Sequence, residues 1–188
     1  MSHSALELTK HLLSLLATHS LRRGSFLLAS GVESSYYIDA RLTTMRPEGL
    51  TTIAQLALMH FQELNWLPSA VGGLTLGADP IACGIAYESA LTTRPIRAFT
   101  VRKETKSHGT QQLIEGPLRP SESVVIVEDV LTTGSSALCA AQATQAFGAR
   151  VLGILAVVDR EEGGSEKLAN AGFNTRCLTR VSEVLAVR

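Results

Sequence analysis

The apolar residues of this chain change period along its length, and each change marks an element. Leu8, Leu12, Leu15 and Leu16 recur on one helical face, and Ser4 with Glu7 ahead of them has the spacing of a capping box. "SFLLASGVESSYYID" reads as two short extended pieces around a turn at Ser30 and Gly31. Helical spacing returns in "IAQLALMHFQELNW", where Thr52 and Gln55 form a second predicted capping box. Strands and helices then alternate. "VGGLTLG" is a short strand with a glycine-rich exit, and Asp79 and Pro80 supply an N-cap and a first-turn proline for the helix "IACGIAYESA". "IRAFTV" and "SVVIVED" are strands, and the helix "SSALCAAQATQAF" stops at Gly148. "RVLGILAVVD" is a further strand, "SEKLANAG" a short helix, and "NTRCLTRVSEVL" a last strand with its exit.

The runs 124–127 and 151–158 are apolar without a break, which suits parallel strands covered on both faces. Their alternation with helices predicts a single α/β domain over 1–188, a central parallel sheet flanked by helices with a small addition from the N-terminal segment. Residues 102–123 fit no helix or strand, and a connection of that length in a compact domain is commonly a functional lid or a disordered segment.

Composition narrows the function. Lys plus Arg is 17 and Asp plus Glu is 17, so the chain lacks the basic excess of a general nucleic-acid binder. Cys83, Cys139 and Cys177 have neither metal-ligand nor disulfide-framework spacing and read as small buried thiols in a reducing compartment. Glu7, Lys10 and His11 interrupt the apolar N-terminal segment, and no run reaches membrane-spanning length. The expectation is a cytoplasmic protein with neither nucleic acid nor membrane as partner.

In an open parallel sheet, ligands gather at the carboxyl ends of the strands. "VVIVEDVLTTGSS" ends a strand with Glu128 and Asp129, then turns through Val130, Leu131, Thr132, Thr133, Gly134, Ser135 and Ser136 into a helix. A helix start offers free backbone N–H groups and the positive end of the dipole, and the hydroxyls add donors. This is a phosphate cradle without the Walker lysine. Carboxylates beside a phosphate do not attract it; they suit ribose hydroxyls or a magnesium-associated sugar. The ligand read from these residues is a phosphate on a hydroxylated sugar.

The same thirteen residues closely resemble the phosphoribosyl pyrophosphate signature of the type I phosphoribosyltransferases. "VRKETKSHG", "SFLLASGVESSYYIDARLTTMRPEG", "GGLTLGADPIA" and "VVDREEGG" resemble segments of the orotate-using members, so the likeness spans most of 26–164. It implies a type I phosphoribosyltransferase-like fold with a hood over roughly 20–50 and a mobile catalytic loop over roughly 102–118. It also implies a homodimer with shared active sites. The resemblance assigns the 5′-phosphate to Thr132, Thr133, Gly134, Ser135 and Ser136, reached through Val130 and Leu131, and the ribose hydroxyls to Glu128 and Asp129, the latter also catalytic. Arg102, Lys103, Lys106 and His108 match the cations that grip the leaving pyrophosphate, and Thr75, Leu76 and Gly77 match the loop beside it. Tyr37 and Ile38 match residues that pack on the pyrimidine ring, and Arg160 matches the arginine that meets the orotate carboxylate.

The partners implied are orotate and 5-phosphoribosyl 1-pyrophosphate. The products are orotidine 5′-monophosphate and pyrophosphate, in pyrimidine biosynthesis. The cofactor is Mg2+, carried by the substrate's pyrophosphate and ribose, with no protein metal ligand. Three positions depart from many members: Ala29 and Gly77 where some carry lysine, and Glu128 where many carry Asp. Two alternatives stay open on the residues alone, a phosphoribosyltransferase for another base and a non-catalytic regulator that senses the donor.

Overall fold

The computed structural model describes residues 3–27, 31, 33–104 and 113–187. Helix α1 (His3–Leu15) runs into a π-helical turn (Leu16–Ser20) and then an antiparallel hairpin, β1 (Leu21–Leu27) and β2 (Glu33–Ile38). Its base is tied down by buried polar contacts: Asp39 N–H donates to Ser20 O at 3.0 Å, and the Ser20 and Thr43 hydroxyls lie 2.7 Å apart. The predicted turn between the two pieces lies largely outside the described residues, as does Ala29. A short α2 (Arg41–Thr44) and the long α3 (Pro47–Glu63) follow.

The rest is β3 (Ala70–Leu74), α4 (Ala78–Ser89), β4 (Arg97–Val101), β5 (Ile114–Glu115), β6 (Ser123–Leu131), α5 (Ser135–Ala146), β7 (Arg150–Asp159), α6 (Gly164–Asn170), β8 (Thr175–Arg180) and α7 (Val181–Ala186). Six strands make one sheet in the order β5-β4-β3-β6-β7-β8, parallel except for β5. The predicted architecture is the observed one.

The uninterrupted apolar runs work as expected for a sheet covered on both sides. Val125, Val127, Leu155 and Val157 face one core with Ile53, Leu56, Ile81 and Ile85 from α3 and α4. Val124, Ile126, Ile154 and Ala156 face the other, against Ala137 and Ala140 of α5 and Leu168 of α6. β6 and β7 are thereby fixed in register, and the loops at their carboxyl ends are held on a rigid base.

Local details differ from the sequence reading. Helix α3 begins at Pro47, ahead of Thr52, because proline at the first helical position has its φ already set for a helix. The Thr52 hydroxyl donates back to Glu48 O at 2.7 Å inside the helix. Ser4 lies inside α1, which starts at His3. The last strand exits into α7. The connection over 102–123 holds an element after all: β5 pairs Ile114 with Val101 and Glu115 with Thr100 on β4, with Ile114 and Leu118 buried. Cys83 and Cys139 are exposed, on outward faces of α4 and α5; only Cys177 is half-buried, and burial beside Asp159 pushes its thiol up to about 12. No described helix is long and apolar enough to cross a membrane.

Asp79 also differs. Gly77 takes the N-cap position of α4 with no side-chain cap, and the Asp79 carboxylate accepts from the Thr75 hydroxyl at 2.6 Å and the Thr100 hydroxyl at 2.9 Å. It fastens the β3–α4 loop to β4 while sitting at the positive end of α4. Asp79→Ala should therefore destabilise the chain by about 1–3 kcal/mol, through two half-buried hydroxyls left unpaired and a lost helix-end charge. Urea denaturation followed through Trp66 reads this; a shift below about 0.5 kcal/mol, the range of an ordinary surface change, would remove Asp79 from this role.

Candidate active site

The strand order sets the location. From β3 the chain steps to β4 on one side, whereas β6, β7 and β8 extend on the other, so the loops leaving β3 and β6 part company above the sheet. The crevice at such a switch point is where open α/β sheets bind ligands. Here it is a cavity of about 530 Å³. Its floor is Glu128, Asp129 and Val130 at the end of β6, one wall is Thr75, Leu76 and Gly77, and the far end reaches Thr132 and Ser136. Tyr37 and Ile38 of the hairpin, Arg160 and Lys103 complete it. Residues far apart in sequence are thus brought together as one site.

The acidic pair is split by its surroundings. Glu128 is only 6% exposed, and burial, with the Asp129 charge beside it, pushes its carboxyl up to about 8. Asp129 Oδ1 accepts from Val130 N–H at 2.9 Å. A Cβ at Gly77 would lie 2.6 Å from Asp129 Cγ, so a side chain at position 77 would require the Asp129 carboxylate to turn from its present position. The side chain this loop presents is that of Leu76, 69% exposed, after a cis Thr75–Leu76 peptide.

At the cradle, Gly134 precedes α5 with φ 75°, a conformation favouring glycine. Its tight neighbours are Gly164 O and Leu168 of α6, so this glycine is required by packing as well as by the turn. Thr133, Ser135 and Ser136 are exposed hydroxyls, with Thr133 Oγ1 3.0 Å from Ser135 Oγ. Leu131 has its side chain in the core, and its carbonyl accepts from Arg160 N–H at 2.9 Å, so it serves the site by fixing the backbone rather than by touching a ligand with its side chain.

Arg160 is the most constrained cation in the cavity. Its side chain is 9% exposed, with one terminal nitrogen 2.8 Å from Glu162 and the guanidinium carbon 5.5 Å from the Tyr36 ring centre. Its Nε is buried with no hydrogen-bond partner among the described residues. A charged donor in that condition is costly unless something accepts from it. Arg102 lies outside the cavity lining; its backbone N–H donates to Leu113 O at 2.8 Å and its guanidinium reaches Glu115 at 3.8 Å, closing the neck of the loop. Lys106 and His108 fall outside the described residues.

Three residues escaped the sequence reading. Arg41 donates to both oxygens of Asp39, at 2.8 and 2.9 Å, and the pair lines the cavity, its hydrogen bond holding the Asp39 carboxyl below its ordinary value. The D-x-R spacing in "IDARL" was the available signal. Lys167 donates to Ser135 Oγ at 2.8 Å from a helix far along the chain, which no local pattern announces. Among the described residues, no group of three or more His, Cys, Asp or Glu converges to hold a metal ion. The hard oxygens at the cavity are the carboxyls of Asp39, Glu128 and Asp129 and the hydroxyls, which fit Mg2+ shared with a substrate's own oxygens.

Comparison with known proteins agrees in kind. Residues 44–182 match the model of the phosphoribosyl transferase domain. The orotate phosphoribosyltransferase of Aquifex aeolicus is 49% identical over 160 residues, 85% of this chain and 86% of that protein. That of Rhodopirellula baltica is 43% identical over 176 residues, 92% of this chain and 91% of its own. The crystal structure of the Mycobacterium tuberculosis orotate phosphoribosyltransferase in complex with 5-phospho-alpha-D-ribosyl 1-diphosphate superposes with a TM-score of 0.77 at 32% identity, covering 95% of this chain and 92% of that one.

The buried Glu128 gives a pH test. Its folded pKa is raised above the unfolded value, so its contribution to stability is full below about pH 4.5 and is lost as pH rises toward 8. Glu128→Gln removes this loss, which is at most on the order of 5 kcal/mol for a shift of this size. Urea midpoints at pH 5.5 and 8.5 should therefore fall more steeply for the unmutated chain than for the variant. Parallel falls would mean that Glu128 titrates as a solvated carboxyl.

Proposed function

The chain belongs to the phosphoribosyl transferase family, and we propose that it works as an orotate phosphoribosyltransferase, making orotidine 5′-monophosphate and pyrophosphate from orotate and 5-phosphoribosyl 1-pyrophosphate. The enzymes of A. aeolicus and R. baltica, alike over most of their lengths, support the activity. The observation that carries the choice of base is Arg160: a buried guanidinium with an unpartnered Nε, on the cavity that also holds the acidic pair. A planar carboxylate is the acceptor that fits a guanidinium fork, and orotate has one where uracil has none.

The donor lies along the crevice in this reading. Thr132, Thr133, Gly134, Ser135 and Ser136 cradle the 5′-phosphate, and Glu128 with Asp129 takes the ribose hydroxyls. The 1-pyrophosphate lies by Thr75, Leu76 and Gly77. Orotate lies under the hood, against Tyr37 and Ile38. Mg2+ bound with the donor would supply charge neutralisation at its pyrophosphate, and the carboxyls and hydroxyls of the cavity are the protein oxygens that would face it. As the bond from C1 to the pyrophosphate oxygen breaks, its electron pair leaves with pyrophosphate and positive charge grows on the ribose. Lys103, Arg102, Lys106 and His108 oppose the charge on the leaving group. The carboxylate of Asp129 stands on the ribose side, and a ring nitrogen of orotate forms the new bond to C1. The loop over roughly 102–118 closes over this step and keeps water from the cationic centre, its neck pinned at Arg102 and Leu113.

Two supports favour a homodimer in a cytoplasmic setting. Leu42, Met45 and Leu76 are exposed and, with Pro80 and Cys83, line a second, largely apolar cavity of about 690 Å³. That cavity shares Asp39, Arg41 and Leu76 with the first, so a partner seated there lies beside the site and its loop cations are within reach. Free, exposed Cys83 and Cys139 suit a reducing compartment.

Pyrophosphate release should be seen with orotate and not with uracil when each is mixed with donor and Mg2+. Arg160→Ala should lower kcat/KM for orotate by about 2–5 kcal/mol equivalent while leaving the KM for donor unchanged, because a desolvated carboxylate loses its partner. Equal use of uracil, or an unchanged kcat/KM in the variant, overturns the assignment of the base.

Light scattering should give a mass near twice the 20.1 kDa chain. Mixing inactive Lys106→Ala and Asp129→Ala protomers should restore activity, since a loop cation given across the dimer leaves mixed dimers with a site free of both changes, whereas Lys103→Ala, in the cavity of its own chain, should give no such rescue. A monomer, or silence on mixing, removes the shared site.

A further inference from the structure

Helix α6 is pressed against the loop that leads into α5. A Cβ on Gly164 would overlap the carbonyl oxygen of Thr132, and one on Gly134 would come within 2.9 Å of Gly164 O and 3.2 Å of Leu168 Cγ. Two bare backbones therefore touch, and Lys167 is carried to the rim of the cradle. Its ammonium donates to Ser135 Oγ at 2.8 Å, and that hydroxyl lies 3.0 Å from Thr133 Oγ1. With Lys167 as donor to Ser135, the serine proton is left to be given onward.

Charge decides what this contact is for. The segment 132–136 contains no cation, yet it lies beside Glu128 and Asp129. A dianionic phosphate placed there lies beside the acidic pair, Asp129 next to a Glu128 carboxyl of raised pKa, and meets no opposing charge from the cradle itself. Three cations line the same cavity: Arg41 and Arg160 are each paired with a carboxylate of its own, Asp39 and Glu162, and Lys103 stands on the loop assigned above to the leaving pyrophosphate. Lys167 has no carboxylate partner among the described residues, and its one hydrogen bond goes to a cradle hydroxyl. A lone bond to serine gains an exposed lysine little, so the contact alone does not account for the placement.

We infer that Lys167 binds the 5′-phosphate of the sugar substrate, completing from α6 the charge that the cradle lacks. This rests on the donor-site reading above. A phosphate bridging the Ser135 hydroxyl and the α5 N–H groups comes within the ammonium's reach by a rotation of the lysine side chain.

The two directions of the reaction separate this role from a structural one. 5-Phosphoribosyl 1-pyrophosphate and orotidine 5′-monophosphate carry the 5′-phosphate; orotate and pyrophosphate do not. Lys167→Met keeps the stem and the helix propensity but removes the charge. It should raise KM about tenfold for the two phosphorylated sugars, as for one partly screened charged hydrogen bond, and leave KM for orotate and pyrophosphate within about twofold. Lys167→Arg should restore most of the loss, and Lys167→Glu should deepen it. Calorimetric titration of each protein with ribose 5-phosphate checks the same contact without turnover. Four KM values moving together, or unchanged ribose 5-phosphate binding in both Lys167→Met and Lys167→Glu, overturns the inference while the donor site stands. If the unmutated chain binds neither 5-phosphoribosyl 1-pyrophosphate nor ribose 5-phosphate, the donor site itself falls and Lys167 with it.

Discussion

Asp129 and Gly77 compete for one small volume, and the shape of the crevice follows from how they share it. β3 and β6 run side by side through Ala70↔Val124, Val71↔Val125 and Gly72↔Ile126. Beyond that point β3 turns away toward α4, whereas β6 continues to Leu131. The gap that opens is floored by a carboxylate lying against a backbone with no side chain. A residue larger than glycine at 77 would meet the Asp129 carboxylate and turn it from its present position on the floor. The Asp79 clamp on Thr75 and Thr100 holds the loop in that place from behind. Site geometry here depends on packing as much as on the ligand-facing groups.

Support is graded outward from that floor. Glu128 and Leu131 belong to a strand whose side chains are buried in both cores, so the acidic pair is fixed by the fold itself. The cradle is held one step less directly, through the contact of Gly134 with Gly164 and Leu168. The hairpin that carries Tyr37 rests on its base contacts at Ser20, Asp39 and Thr43, and Tyr37 itself is 38% exposed. Groups that must hold a sugar in one geometry are rigid, and those that must admit and release a base or a leaving group sit on the parts with fewer buried contacts.

The sequence was most informative where one residue type has one physical reason to be present. Short unbroken runs of Val, Ile and Leu, alternating with helical stretches, suit strands covered on both faces, so the parallel sheet was legible, and the acidic pair before a hydroxyl-rich turn marked the switch point. Legibility failed where partners are remote or elements are short. β5 is two residues long and is a strand only because β4 lies beside it. Asp79 carries the mark of an N-cap, yet tertiary neighbours claim its oxygens. The cysteines on α4 and α5 face outward although their type favours burial, because the small residues Ala82, Ala140 and Ala141 already fill the core side of those helices. Lys167 looks like any helix-surface lysine until α6 is docked.

The distribution of charge then constrains the ligand more tightly than any single motif. The floor is acidic, so an anion cannot rest on it; anions must lie at its margins, where the cations are. Those cations stand apart: Arg160 beside the hood, Lys103 at the loop, and Lys167 beyond the hydroxyl cradle. Arg160 and Arg41 are each steered by a neighbouring carboxylate, which fixes a direction for the guanidinium and lowers its net attraction for a free ion. A simple anion would gain little from so divided a field. A ligand with a neutral hydroxylated middle and separate anionic ends, meeting a second anionic molecule at the hood, engages all three positions at once while its sugar covers the carboxylates. Donor and orotate together have that pattern, and the chain's net charge of zero is compatible with it because the attraction is local to the crevice.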